Sequence, residues 1–382
     1  MSESVMNVKL IYLLFDSVNM HRWNDHLCPT DLTELDKQSH KAMIAWYIAK
    51  MEEYGGRKIR WKLLIRNCLF SFIQRSVLTD LKPQVFHRIV LEKKKEVNDF
   101  VLTEFDRTIP DCDPGFRSDF IEYLHSDKDA VEDAIIRAAH YLATKWEFDL
   151  IYESNRSMYG IEDTRNEIEH QIEQHLDLAA VRMLKTDNAF RDFINLVGQL
   201  RFQQRWVRTP RIPKTTVLGH SLIVADSMFL HDLDCDVDER QIYNDFYTGL
   251  FHDIPEVLTK DVISPIKENV SGLAVLLEDY ENDAVTTTIM PLLKEEWADE
   301  FSYMALHPFS DMDDPVFGKR NGADLKACDL LGAFIEANVS QRYGVSSSTL
   351  RKGEADLRAK LSVRGKGIDA DKIVADFDAM NI

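Results

Sequence analysis

Apolar residues recur along this chain at helical spacing. Leu222, Val224, Ala225, Met228 and Phe229 give one face after Ser221, and Ile242, Phe246, Leu250 and Phe251 give another. No run alternates with period two long enough to predict a strand. Val8 to Phe15 is apolar, but Lys9 interrupts it and Asp16 bounds it. It is too short for a membrane span and has no cleavage-site pattern, so it predicts a buried helix. The expected fold is all-α, and the expected location is the cytoplasm.

The two halves of the pattern repeat. Arg22-Trp23 matches Arg205-Trp206. A histidine then opens an apolar helix, His40 in the first half and His220 in the second. A hydrophobic helix running into a Leu-Thr turn follows, from Leu69 through Ser71-Phe72 to Thr79, against Leu250 through His252-Asp253 to Thr259. Arg137 to Ala143, containing His140, matches Lys326 to Gly332, containing Asp329. Tyr-Gly comes after both, at Tyr159-Gly160 and Tyr343-Gly344. The order and near-equal spacing predict a tandem duplication, with halves 1–182 and 183–382.

Composition narrows the function. The 382 residues contain 15 glycines and 11 prolines, which favours long helices over many turns. A formal net charge of -18 excludes generic binding to a nucleic-acid backbone, yet leaves room for a small phosphorylated ligand beside a metal. The 5 cysteines are scattered, with no C-x-x-C, so neither a disulfide framework nor a structural zinc site is expected.

The candidate chemistry lies in the second half. His220, the doublet His252-Asp253 and Asp329 come from three helical segments that can converge in a bundle core. Imidazole with carboxylate suits one divalent cation, such as Mn²⁺, Co²⁺, Fe²⁺, Ni²⁺, Zn²⁺ or Mg²⁺. A His-Asp pair alone is commonly a surface or capping feature. Here it ends an apolar helix, where burial without ligation or pairing is costly. Glu256 follows within one turn, where it can orient or deprotonate a water.

These residues carry a resemblance. Arg205-Trp206, Gly219-His220-Ser221, His252 through Asp261, Pro265-Ile266-Lys267 and Lys326 through Asp329 resemble the HD-domain superfamily of metal-dependent phosphohydrolases. The E-V-L-T-x-D continuation and the Arg-Trp pair narrow it to the YfbR-like 5′-deoxynucleotidase branch. The resemblance implies tandem HD-type helical bundles, the first degenerate. It implies one cation on His220, His252, Asp253 and Asp329, with Glu256 and Asp253 in catalysis. It carries over Arg205 and Trp206 as contacts to phosphate and deoxyribose, and adds Asp261 and Lys267 at the substrate. Asp261 is equally a candidate helix cap, Lys267 and Arg211 surface charges, and Arg205-Trp206 a packing pair at a helix end. Gly219 departs from the glutamate that the family usually has before its first histidine.

The first half keeps His40 and His140, but Ser71-Phe72 replaces the doublet, and Gln74 or Arg75 falls where Glu256 would be. No catalysis is expected there. The expected activity is removal of the 5′-phosphate of deoxynucleoside monophosphates. The alternatives are a phosphohydrolase of triphosphates, cyclic nucleotides or alarmones, and a non-catalytic nucleotide sensor. The expected assembly is an internal pseudo-dimer, open to further homodimerisation.

Overall fold

The computed structural model describes residues 4–78, 83–259 and 272–382. The first half runs α1 (Val8–Asp16), α2 (Glu34–Tyr54), α3 (Trp61–Val77), α4 (Pro83–Thr108), α5 (Pro114–His125), α6 (Val131–Asn155), α7 (Ile161–Glu173) and α8 (Ala179–Met183). The second runs α9 (Asn188–Gly198), α10 (Val217–Cys235), α11 (Glu239–Phe251), α12 (Glu256–Thr259), α13 (Leu273–Ala284), α14 (Glu295–Ala305), α15 (Gly322–Arg342), α16 (Ser348–Arg364) and α17 (Ala370–Ala379). The chain is all-α as expected, and Val8 to Phe15 is indeed a helix with Leu10, Ile11, Leu14 and Phe15 buried.

One pair of strands escaped the hydrophobic pattern. Met312–Asp314 (β1) pairs antiparallel with Gly318–Arg320 (β2), with Met312 opposite Arg320. These segments are short and polar, so they carry no apolar alternation. The hairpin braces α11, because Asn244 Nδ2 donates to Phe317 O and Lys319 O at 2.7 and 2.8 Å.

The halves share one continuous core. Trp46 of α2 lies among Tyr247, Phe251, Trp297 and Phe301 of the second half, and its Nε1 donates to Tyr243 Oη at 3.0 Å. The leading helices cross over. Asp234 at the end of α10 accepts from Val5 N and Met6 N just ahead of α1, at 2.8 and 2.9 Å. In return α9 lies against the first half. A Cβ on Gly198 would lie 2.6 Å from the Trp146 ring, and the Ile194 carbonyl sits 2.9 Å from His40 Nε2.

Candidate metal centre

Local rules place the three ligand-bearing segments. Thr216 caps α10, its Oγ1 accepting from Gly219 N at 3.1 Å, so His220 falls in the first turn. Helix α11 ends at Phe251, and His252-Asp253 stand in the turn that follows, ahead of Pro255, which cannot donate to a continuing helix. Asp329 lies inside α15, three residues after Lys326.

These segments converge. Ligand atoms of His220, His252 and Asp253 lie within 4.8 Å of one another. Asp329 Oδ1 is 2.9 Å from His220 Nε2 and 4.0 Å from His252 Nε2, and His252 Nε2 is 3.1 Å from Asp253 Oδ2. Gly249 O holds His252 Nδ1 at 2.8 Å, which turns Nε2 toward the cluster. Both glycines nearby permit close approach. A Cβ on Gly332 would lie 3.0 Å from His220 Cε1, and one on Gly249 would lie 2.9 Å from Ala225 Cα.

The donor set fits a divalent cation. His252 Nε2 is buried with no aligned hydrogen bond, an expensive condition unless something ligates it. Burial and the nearby Arg205 lower the His220 pKa, favouring the neutral, ligating imidazole. Burial opposes ionisation of both aspartates, but His252 beside Asp253 and Lys326 beside Asp329 outweigh it and hold both pKa values low. Two carboxylates and two imidazoles with a mixed O and N character match the borderline first-row cations.

A loop before α10 supplies the cationic wall. Trp206 adopts φ +57°, a left-handed backbone that L residues rarely take. Glu336 of α15 fixes both side chains. Its Oε2 accepts from Arg205 Nε at 3.2 Å and Trp206 Nε1 at 2.8 Å. Arg205 Nη1 then reaches to 3.6 Å from Asp253 Oδ2. The same loop encloses a cavity of about 340 Å³ lined by Arg205, Trp206, Arg208, Arg211 and Lys214.

Other candidates fall differently. Glu256 opens α12 next to the doublet and is buried, its backbone carbonyl accepting from Gln203 Nε2 at 2.7 Å. Asp261 and Lys267 lie outside the described residues. Arg211 is no surface charge: it is buried and donates to Thr215 Oγ1, which itself donates to Glu336 Oε1 at 2.6 Å. The hydrophobic pattern did not single out Glu336. Its signal was a carboxylate in the apolar stretch Ala333 to Val339, seven residues and two turns from Asp329 on the same helix face.

The first half repeats the loop and changes the ligands. Trp23 has φ +56°, and Glu147 Oε2 accepts from Arg22 Nε at 2.8 Å and Trp23 Nε1 at 2.9 Å. Bridges join His21 to Thr33 and Gln204 to Thr216 alike. Thr33 caps α2, and the residue four positions on is Lys37. The counterpart of His220 is therefore Lys37, which corrects the match to His40. His40 faces away, toward the Ile194 carbonyl and the Trp146 ring. Lys37 Nζ instead meets both ring nitrogens of His140, at 2.9 and 3.1 Å.

An all-helical bundle with a buried His/Asp cluster and an adjacent arginine has the parts that a metal-dependent phosphohydrolase needs. Residues 197–357 match the family model described as the HD domain. Over 163 residues the chain is 28% identical to a 5′-deoxynucleotidase of Pasteurella multocida (strain Pm70), covering 40% of this chain and 75% of that protein. The family match falls in the second half, and together the two findings relate this chain to HD-domain phosphohydrolases of the 5′-deoxynucleotidase branch.

Proposed function

We propose that the second half removes the 5′-phosphate of deoxynucleoside monophosphates. The observation that carries this reading is the convergence of His220, His252, Asp253 and Asp329 beside an arginine fixed by Glu336. The monophosphate and the deoxyribose follow from the relative described as a 5′-deoxynucleotidase.

His220, His252, Asp253 and Asp329 would hold the cation. When bound, a divalent cation offsets phosphoryl charge and acidifies a water. Glu256 orients the attacking water and takes its proton. Arg205 reaches the phosphoryl oxygens through its guanidinium while Glu336 holds Nε. Trp206, pinned through Nε1, presents its ring to the sugar, where a 2′-hydroxyl is excluded by shape. Asp253 contributes twice, as a ligand and as the ion-pair partner of Arg205.

The shared geometry of the Arg-Trp loops, the threonine caps and the crossed helices α1 and α9 supports a duplicated chain, divided near 182 and 183, that forms its own pseudo-dimer. Further homodimerisation and a cytoplasmic location belong to the same reading. Among the described residues no helix is long and apolar enough to cross a membrane.

The test is phosphate release from a panel of 5′-mono- and triphosphates with Mn²⁺ or Co²⁺. Orthophosphate from deoxynucleoside monophosphates, abolished by EDTA and in Glu256→Ala, supports the proposal. Triphosphate or pyrophosphate release assigns the triphosphatase activity instead. No turnover above Glu256→Ala with any substrate leaves the nucleotide-sensor reading.

A further inference from the structure

The first half contains a cavity of about 840 Å³, larger than the one beside the Arg205 loop. We propose that it is a metal-free binding site for a phosphorylated ligand of mononucleotide size, with the Lys37 and Lys41 ammonium groups taking the phosphate. The proposal does not depend on the hydrolase reading of the second half.

The floor of the cavity replaces a cation with two lysines. Lys37 stands where His220 stands and touches His140, which matches Asp329. Lys41, one turn further along α2, donates to Ser71 Oγ at 2.8 Å, and the sequence repeat sets Ser71 against His252. Both lysines are nine-tenths or more buried, both line the cavity, and neither forms an ion pair among the described residues. Two acids near Lys37 are already engaged. Glu34 accepts from Arg22 and Gln38, and Glu147 accepts from Arg22, Trp23 and Arg201. Burial lowers the pKa of both amines, and a phosphate entering beside them favours their charged form.

Among the described residues the whole lining, Lys37 and Lys41 included, has seven lysines and arginines against four aspartates and glutamates, in a chain whose formal net charge is -18. A net basic pocket of low dielectric concentrates anionic ligands. Lys128 and Arg137 stand nearer the wall, Lys128 over the Tyr123 ring at 3.1 Å from its centroid. Tyr123, Tyr141 and Trp23 give the aromatic surface that a nucleoside needs. The volume falls within the range of small-molecule sites, about 300–1,000 Å³. No carboxylate replaces Asp253 here, because Phe72 is buried in the core. Binding without hydrolysis is the chemistry these residues allow.

The test uses the full chain carrying His252→Ala, in EDTA, titrated calorimetrically with 5′-dAMP and with inorganic phosphate. The expected result is one equivalent of 5′-dAMP, bound more tightly than inorganic phosphate and more weakly as salt rises. Lys37→Met and Lys41→Met each weaken it about tenfold or more. Should Lys37→Met not fold, Lys41→Met alone carries the comparison. Absence of binding overturns the proposal, as does binding that ignores both lysine substitutions. Binding lost in Arg205→Ala but retained in both lysine variants places the ligand in the second half and overturns it too. Inorganic phosphate binding as tightly as 5′-dAMP overturns the nucleoside part. Phosphate release by the wild type with Mn²⁺ is scored separately, so failure of one reading leaves the other standing.

Discussion

Lys37 and His220 occupy the same step of two helices: each stands four residues after a threonine cap, Thr33 or Thr216, and each points its nitrogen at a residue from the partner helix α6 or α15. In one half that residue is His140, in the other Asp329. Seven residues beyond each lies the glutamate that fixes the Arg-Trp loop, Glu147 or Glu336. One scaffold thus brings together either carboxylates and imidazoles suited to a cation, or two buried lysines.

Metal should stabilise the chain through the second half alone. At a free concentration of Mn²⁺ near 100 times its Kd, unfolding should cost about 2.7 kcal/mol more. EDTA should reverse this, and Asp253→Ala should abolish both the response and bound metal, with turnover down about a hundredfold or more. Calorimetric melting with metal analysis checks it; an equal response in Asp253→Ala would place the cation elsewhere.

Glu336→Gln should separate substrate binding from metal binding. The guanidinium of Arg205 loses its buried counter-ion, while the amide oxygen still accepts from Trp206 Nε1. KM for the nucleotide should rise about tenfold, and stability should drop by about 3 kcal/mol. Metal content should stay near one per chain. A KM equal to wild type rules out the positioning role.

Gly219→Ala should destabilise the chain, although alanine is the better helix former. A Cβ there would lie 2.7 Å from Asp36 Oδ1 and 3.1 Å from Leu35 Cδ2, in the packing of α10 on α2. Asp36 has little room to retreat, because Thr216 Oγ1 donates to it at 2.6 Å. The clash, about 1–3 kcal/mol, outweighs a helix-propensity gain of about 1 kcal/mol. A glutamate at this position would need the two halves to part. A higher melting temperature for Gly219→Ala contradicts this packing.

Asp226 should make stability fall with rising pH. Burial pushes its carboxyl up to about 8, with Lys41 pulling the other way. Its unfolded value is near 3.9. Between these values the folded state keeps a proton that the unfolded state has lost. Stability is therefore greatest at the acidic end of that window and declines by about 1.4 kcal/mol per pH unit for this one proton. Asp226→Asn should flatten the slope of melting temperature between pH 5.5 and 8. An unchanged slope assigns the dependence to Asp232 and Asp245, whose carboxyls burial also raises.

Helical periodicity made α10 and α11 legible, since apolar side chains every three to four residues have one way to be buried together. The same logic made His220, His252-Asp253 and Asp329 visible, because ionisable groups in apolar stretches demand a partner. The hairpin Met312–Arg320 was not legible, since its strands are held by backbone pairing and by Asn244, not by an apolar face.

The sequence by itself determined the all-α class, the ligand types and the repetition of Arg-Trp, because each depends on residues near one another in the chain. Only the tertiary structure decided that Lys37, and not His40, takes the place of His220. Alignment by residue type favours a histidine for a histidine, whereas a side chain's direction is set by its distance from the helix cap. Glu336 and Glu147 belong to the same category. Their role depends on a loop from over a hundred residues away folding back onto the helix that carries them, and no local pattern records that contact.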